Sequence, residues 1–427
     1  MEARYKLFNF RPAVVISAGL ILGIILAYLC AFVSAVVFAC LSILVGLFLL
    51  ATIIYFVKKK QVFNYIFSLV LLLFFLLGIG LVCLKLFIPS NSGGLDLFYN
   101  IKQKLLLNFK KFMPDIYGLN YAVLTGDTSF IDSTVIEWYR NVGIAHLFAV
   151  SGLHIGLMYG VLAVTLKLFK VDKKLSLLLE FVILFLYVAF CGFSPSSLRA
   201  FIIVIVREVA LTFGEKPDKL TNVALSLIVV LIINPLDLFS VGFLLSYSVY
   251  LGLILLAKPF ANYMCRFLPK FLANILSPCI IAQVVSIPIL IDAFGYVSLF
   301  SFLFNMLLLP VISIVYPFIL LSGVLVIFED AFIFAIVPNI TFTFLNWVLL
   351  LANTKLFLIG GIFFSYSAIF YYLYLFSFAG IMNINGKKLR LLQAVLFLLF
   401  VIAFFIVNLP FFLWNDIEID VLICYNS

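Results

Sequence analysis

The chain has 427 residues, of which 66% are hydrophobic and 11% charged, and its net charge is +9. A soluble domain carries roughly 45–50% apolar and about 25% charged residues, so no soluble fold could cover this much apolar surface and a soluble globular enzyme is excluded. The seven cysteines are scattered with no C-x-x-C pair, which excludes a disulfide framework, and in a polytopic membrane protein most of the positive charge is topology signal.

A span needs about 20 mostly apolar residues, and lipid admits no open strands, so the spans are read as helices. The apolar runs are too long and unbroken for barrel strands. Arg4, Lys6 and Arg11 precede the first run, which lacks a cleavage site and is read as an uncleaved span. The first spans are placed at 12–31, 33–57 and 62–88, with Lys58 to Lys60 between the second and third marking the cytoplasmic side. After a loop at 89–94, Phe98, Ile101, Leu105, Phe109 and Phe112 recur at three- and four-residue steps over 95–113, with Lys102, Lys104, Lys110 and Lys111 at other positions. That pattern predicts an amphipathic helix lying in the membrane interface. A second short helix is predicted at 132–142, capped by Asp132 or Ser133 and ended by Gly143.

Further spans are placed at 144–169, 175–192, 196–213, 220–233, 240–257, 272–291, 331–352, 356–380 and 390–414, with 298–327 interrupted by Pro310 and Pro317. The basic loops 170–174, 214–219 and 386–390 fall inside by alternation, whereas the acidic turn 328–330 goes against the pattern. The expected fold is an all-α polytopic membrane protein of about 11–13 transmembrane helices with interfacial amphipathic helices and no soluble domain. Its expected divisions are a three-helix segment at 1–89, external interfacial helices at 90–143, a core at 144–327, C-terminal helices at 328–415 and a short external tail at 416–427. No internal repeat of the kind that marks many secondary transporters is visible.

Both histidines of the chain fall in "NVGIAHLFAVSGLHIGLMYG" (141–160), as His146 and His154. Read as one helix, Ala145, Ala149, Gly152, Gly156 and Gly160 lie within about 80° of arc, a small-residue ridge for close helix packing. His146, Ser151 and His154 lie on another face, and a polar face inside a membrane lines a bundle interior or a wet path. Ser151 and His154 are three apart, so they are helix neighbours. A serine hydrolase, however, needs an orienting group and an oxyanion hole as well, and no third histidine exists.

In "SPSSLR" (194–199), Ser194 suits an N-cap and Pro195 a first helical position. Arg199 then lies about one turn into the membrane, where an arginine pairs, meets water or snorkels. Asp127, in "YAVLTGDTS", reads as a turn residue or as part of a polar site. Asn222, Asn234, Asp237, Ser246, Gln283, Asp292 and Asn305 are further intramembrane polar positions. Those near Pro and Gly suggest broken helices that line cavities. There is no phosphate-binding G-x-x-x-x-G-K-[ST] loop, and two histidines cannot build a multi-histidine metal cluster.

The stretch 124–157, through Gly126, Asp127, Gly143, His146, Leu147, Ala149, Ser151, Gly152, Leu153 and His154, resembles the signature of the ComEC family, the inner-membrane DNA-uptake channel of bacterial competence. Ser194, Pro195 and Arg199 are similar to its next motif; Asn234, Pro235, Phe243, Ser246 and Tyr247 to a third; and Gln283 through Asp292, with Asn305 and Pro310, to a fourth. The resemblance covers roughly 95–327. Longer relatives carry an external OB-fold domain and a terminal β-lactamase-like domain with a histidine-rich metal motif. Here the third span runs almost into the interfacial helix, and "IEIDVLICYNS" looks like the first strand of that terminal domain, so a membrane core alone is expected.

The resemblance implies a channel, not an enzyme, passing single-stranded DNA into the cytoplasm during natural transformation, with no cofactor and no metal. Its lining would draw on Asp127, His146, Ser151, Gly152, His154, Ser194, Arg199, Asn234, Ser246, Gln283, Asp292 and Asn305. Its DNA-binding mouth would use Lys102, Lys104, Lys110, Lys111, Arg140 and Arg199, since single-strand conduits pair cations with aromatic faces. The implied partners are single-stranded DNA, an external DNA-binding competence protein, a cytosolic helicase or translocase and the lipid bilayer, with homodimerisation left open. The alternatives are a secondary transporter for a small anion and, behind it, an intramembrane serine hydrolase.

Overall fold

A chain that cannot hydrogen-bond its peptide groups to water closes those bonds internally, and the computed structural model of this one is helical almost throughout. It describes residues 12–31, 62–87, 98–298, 301–325, 332–352, 358–360, 364, 367–378 and 386–425. The helices are α1 (Pro12–Ala31), α2 (Val62–Phe87), α3 (Tyr99–Phe112), α4 (Tyr117–Thr125), α5 (Ser133–Asn141), α6 (Gly152–Leu168), α7 (Lys173–Phe190) and α8 (Pro195–Thr212). Then follow α9 (Lys219–Ile233), α10 (Val241–Met264), α11 (Lys270–Phe294), α12 (Ser301–Leu325), α13 (Phe332–Ala352), α14 (Ser367–Ser377) and α15 (Gly386–Tyr425). One antiparallel ribbon interrupts them, β1 (Tyr296–Ser298) pairing with β2 (Leu358–Gly360) so that Val297 faces Ile359. The protein is an all-α polytopic membrane protein.

Among the described residues, four helices are long and apolar enough to cross a membrane: Ser68–Lys85 of α2, α10, α11 and Leu389–Asn408 of α15. Ser301–Leu308 and Pro310–Gly323 of α12 form a broken fifth, bent by 51° at the proline. α1, α6, α9 and α14 are apolar but shorter. α7 carries Lys173, Lys174 and Glu180, and α8 carries Arg199, Arg207 and Glu208, so both are more charged than those spans.

Several expectations change. The span placed at 33–57 lies outside the described residues. The span expected at 356–380 is strand β2 followed by the 11-residue α14. The final helix runs on to Tyr425, through the stretch expected to be a tail and a first strand. Between the two predicted interfacial helices the structure adds a third, α4, whose residues Gly118–Thr125 are all buried.

The described residues form two compact units, one holding the chain up to Lys102 together with Val150–Leu244, the other Gln103–Ala149 and Leu245 onward. In the first, α1 and α2 meet backbone to backbone: a Cβ on Gly23 would lie 2.1 Å from the Phe75 carbonyl oxygen, and one on Gly78 would lie 2.5 Å from that of Leu20. Small residues permit such an approach. α9 packs on α1, and α8 packs on α6, α7 and α9.

In the second unit, Leu105 and Phe109 of α3 and Leu124 of α4 close around Gly323 of α12. The Tyr139 hydroxyl of α5 hydrogen-bonds Asn346 Oδ1 of α13 at 3.0 Å. Pro288 inside α11 has no N–H for the Val284 carbonyl. The Tyr371 hydroxyl of α14 donates there at 2.7 Å, and Tyr372 donates to Val285 at 2.8 Å.

Replacing Gly23 with leucine drives α1 off α2 and costs about 1–3 kcal/mol, read as a lower unfolding midpoint of the purified variant in detergent. Tyr371→Phe orphans the Val284 carbonyl and costs about 1 kcal/mol by the same measurement.

Candidate functional site

The histidine-bearing stretch is broken where one helix was expected. Ala145–Phe148 form a 3₁₀ turn, Ala149 is extended (φ −83°, ψ 124°), Ser151 is extended (φ −119°, ψ 179°), and α6 starts only at Gly152. The ridge and polar face drawn across 145–160 therefore do not exist as such, and only Gly152, Gly156 and Gly160 share a helix. The division between the two units also falls here, after Ala149, so His146 belongs to one and Ser151, Gly152 and His154 to the other.

Ser151 and His154 do meet, as a capping box. Ser151 Oγ accepts from the Leu153 N–H at 3.3 Å, and His154 Nδ1 accepts from the Ser151 N–H at 3.2 Å. Histidine stands where glutamate or glutamine usually closes this motif. The Ser151 Oγ–His154 Nδ1 distance of 3.2 Å is thus the geometry of a helix start, with His154 only 1% exposed.

The next motif lies beside it in the same unit. Ser194 caps α8 by accepting from the Ser197 N–H at 3.4 Å, and Pro195 occupies the first helical position, as expected. Ser196 Oγ donates to the Val150 carbonyl at 2.8 Å and ties the first turn of α8 to the extended residues before α6. Arg199 is buried at 8% exposure, and a Cβ on Gly152 would come within 3.1 Å of its Nη2. Gly152 therefore lies against the guanidinium, with little room for a side chain between them. Elsewhere in this unit, Asn234 Nδ2 donates to Asp237 Oδ1 at 2.6 Å in the turn between α9 and α10. Burial pushes the Asp237 carboxyl up, against that hydrogen bond and the nearby Lys85.

The other unit gathers a second polar cluster. Gly143 ends α5 with φ +82°, and a Cβ there would lie 2.3 Å from Ser301 Cβ. Gln283 Nε2 donates to the Ser298 carbonyl at 3.0 Å, and Ser301 Oγ donates to Gln283 Oε1. Gln283 thus joins α11 to the start of α12 where α5 ends. His146 is exposed and hydrogen-bonds with the Gly143 backbone. Asp292 Oδ1 accepts from the Phe364 N–H at 2.8 Å. Asn305 stands half-buried one turn beyond Ser301, and Ser246 half-buried on α10.

Asp127 forms a turn with Ser129, accepting from its N–H at 3.0 Å and its hydroxyl at 2.5 Å. Asp132 caps α5, and the Thr134 N–H and hydroxyl hold its carboxyl below the usual range. Of the cations, Lys104, Lys110, Lys111 and Arg140 are exposed and Lys102 is half-buried. Lys102 lies 5.7 Å from the Phe190 ring centre and Lys110 5.9 Å from that of Tyr117. The structure thus joins Ser151 with His154 and Gly152 with Arg199, while Asp127, Asp292 and Asn305 keep separate surroundings. Ser196, Ser298 and Ser301 are partners that sequence reasoning passed over; only Ser196, inside "SPSSLR", carried a local signal.

The family model described as Competence protein matches residues 123–386. The ComE operon protein 3 of Bacillus subtilis is 34% identical over 211 residues, 49% of this chain and 26% of that protein. The uncharacterized protein MG316 homolog of Mycoplasma pneumoniae is 29% identical over 116 residues, 27% of this chain and 29% of that protein. The matched stretches thus span less than a third of either relative's length. No solved structure matches the chain. With a match that runs through both histidines, Arg199 and Gln283 and takes in more than half the residues, the chain belongs to the Competence protein family.

Proposed function

We propose that this chain is a channel for single-stranded DNA in the bacterial inner membrane, acting in natural transformation as a conduit without catalytic chemistry. The family match supports a role in DNA uptake. The observation that carries the channel reading is the set of exposed cations, Lys104, Lys110, Lys111 and Arg140, on the short helices α3 and α5. Cations beside aromatic rings are what a single strand needs, phosphates for the one and base faces for the other. On this reading an external DNA-binding protein delivers the strand and a cytosolic helicase or translocase draws it in. Arg199 serves as a phosphate contact within the bundle. The capping role of Ser151 and His154 accounts for their contact without a hydrolytic step.

Reversing Lys110 and Lys111 to glutamate slows entry of labelled DNA into the cytosol by about tenfold at low salt with protein level unchanged; unchanged entry removes the mouth assignment. Deleting the chain abolishes DNA entry and leaves small-anion uptake intact, and the opposite result favours a secondary transporter. Ser151→Ala loses a cap worth about 1 kcal/mol and lowers the unfolding midpoint. A covalent serine probe that labels the wild type but not this variant overturns the conduit reading in favour of a hydrolase.

A further inference from the structure

A cavity of about 200 Å³ opens among α6, α7 and α8, and its polar lining is Lys167, Lys173, Ser176, Glu180, Glu208 and Thr212. None of these belongs to the motifs described above. All lie within one compact unit.

The charges in the cavity are unequally matched. Glu208 is paired with Arg207 at 2.8 Å, and the Tyr159 hydroxyl stands beside it. Lys173 Nζ is engaged at the end of α8, donating to the Leu211 carbonyl at 2.9 Å. Lys167 is exposed at the rim. Glu180 differs from all of them: it is 6% exposed, its hydrogen bond is from the Ser176 hydroxyl at 3.2 Å, and among the described residues no lysine or arginine reaches ion-pair distance. An ionised carboxylate held in a helix bundle by one hydroxyl is costly. It is relieved by a proton or by a mobile counter-ion. The cavity gives such a cation both room and a route.

We propose that this cavity is a binding site for a small exchangeable cation, a proton or a sodium ion, with Glu180 as its anchoring carboxylate. Ser176, Thr212 and Glu208 supply further oxygen donors of the hard kind such cations prefer. Lys167 and Lys173 on the wall and Arg207 behind Glu208 oppose a divalent ion. The groups that face Glu180 are Ser176 on its own helix, Tyr159 from α6 and Glu208 from α8, with Lys167 and Lys173 elsewhere on the cavity wall. The site does not depend on the DNA reading.

The test uses the full chain in lipid nanodiscs and a hydrophobic carbodiimide, which modifies protonated buried carboxyls, with peptide mapping as the readout. Glu180 is expected to be labelled at acid pH and to lose its label at alkaline pH. Glu208, held by Arg207, is expected to stay unlabelled throughout. The same series is run in sodium and in choline buffer. Labelling at neutral pH several-fold lower in sodium identifies the sodium ion as occupant, and equal labelling in the two identifies the proton. No label on Glu180 at any pH in either buffer overturns the site. So does a label independent of both pH and sodium, and so does equal labelling of Glu208. Because the wild-type chain is used, a folding defect cannot mimic any of these outcomes.

Discussion

Every interruption of a helix in this protein has to bring its own hydrogen-bond partners, because hydrocarbon offers none. The rest of the structure follows from that constraint. Where α6 begins, Ser151 and His154 close the first turn between them. Where α8 begins, Ser194 caps the helix and Ser196 reaches across to the Val150 carbonyl, an acceptor in the extended stretch before α6. Where Pro288 breaks the ladder of α11, a tyrosine from α14 supplies the missing donor. Where α11 passes into α12, Gln283 and Ser301 bridge the turn. Two of these breaks, at the start of α8 and at Pro288, are thus joints between elements that are distant in sequence.

This changes what a polar residue in the membrane means here. Ser151, His154, Ser194, Asn234 and Gln283 could each be taken for lining, yet each has a structural task that its hydrogen bonds account for. A cap and a lining are not exclusive, since a broken helix turns polar backbone toward any cavity beside it. But the residues left over after the caps are assigned are fewer and more telling. They are the exposed His146 and the exposed lysines of α3.

The elements that were legible in the sequence are those whose signal is local. Hydrophobic runs placed α7, α8, α9 and α13 within a few residues, and cap chemistry placed Asp132, Gly143, Ser194 and Pro195. The break at 149–151 was not legible, because Ala, Val and Ser carry no stop signal and the small residues on either side fit a continuous 3.6-residue period. α4 was missed since its residues Gly118–Thr125 are buried on all sides, which leaves no amphipathic stripe to read. The contact of α1 with α2 through Gly19, Gly23 and Gly78 was not read from the sequence, since two glycines four apart in an apolar run do not name a partner helix. Pairings such as Gln283 with Ser298, or Tyr371 with Val284, depend on tertiary return of the chain and have no sequence periodicity at all.

The placement of Arg199 carries the electrostatic argument furthest. A helix N-terminus bears roughly half a positive charge, and lysine or arginine is normally found at the opposite end. Here the guanidinium lies over Gly152, the first residue of α6, on a residue that is itself in the second turn of α8. Two helix starts, tied by Ser196, and one arginine therefore add their positive potential in one place in a setting that water screens poorly. Such a place favours negative over positive charge. The glycine at 152 lets the guanidinium approach this closely: a Cβ there would lie 3.1 Å from Arg199 Nη2 and press it back by a few tenths of an ångström.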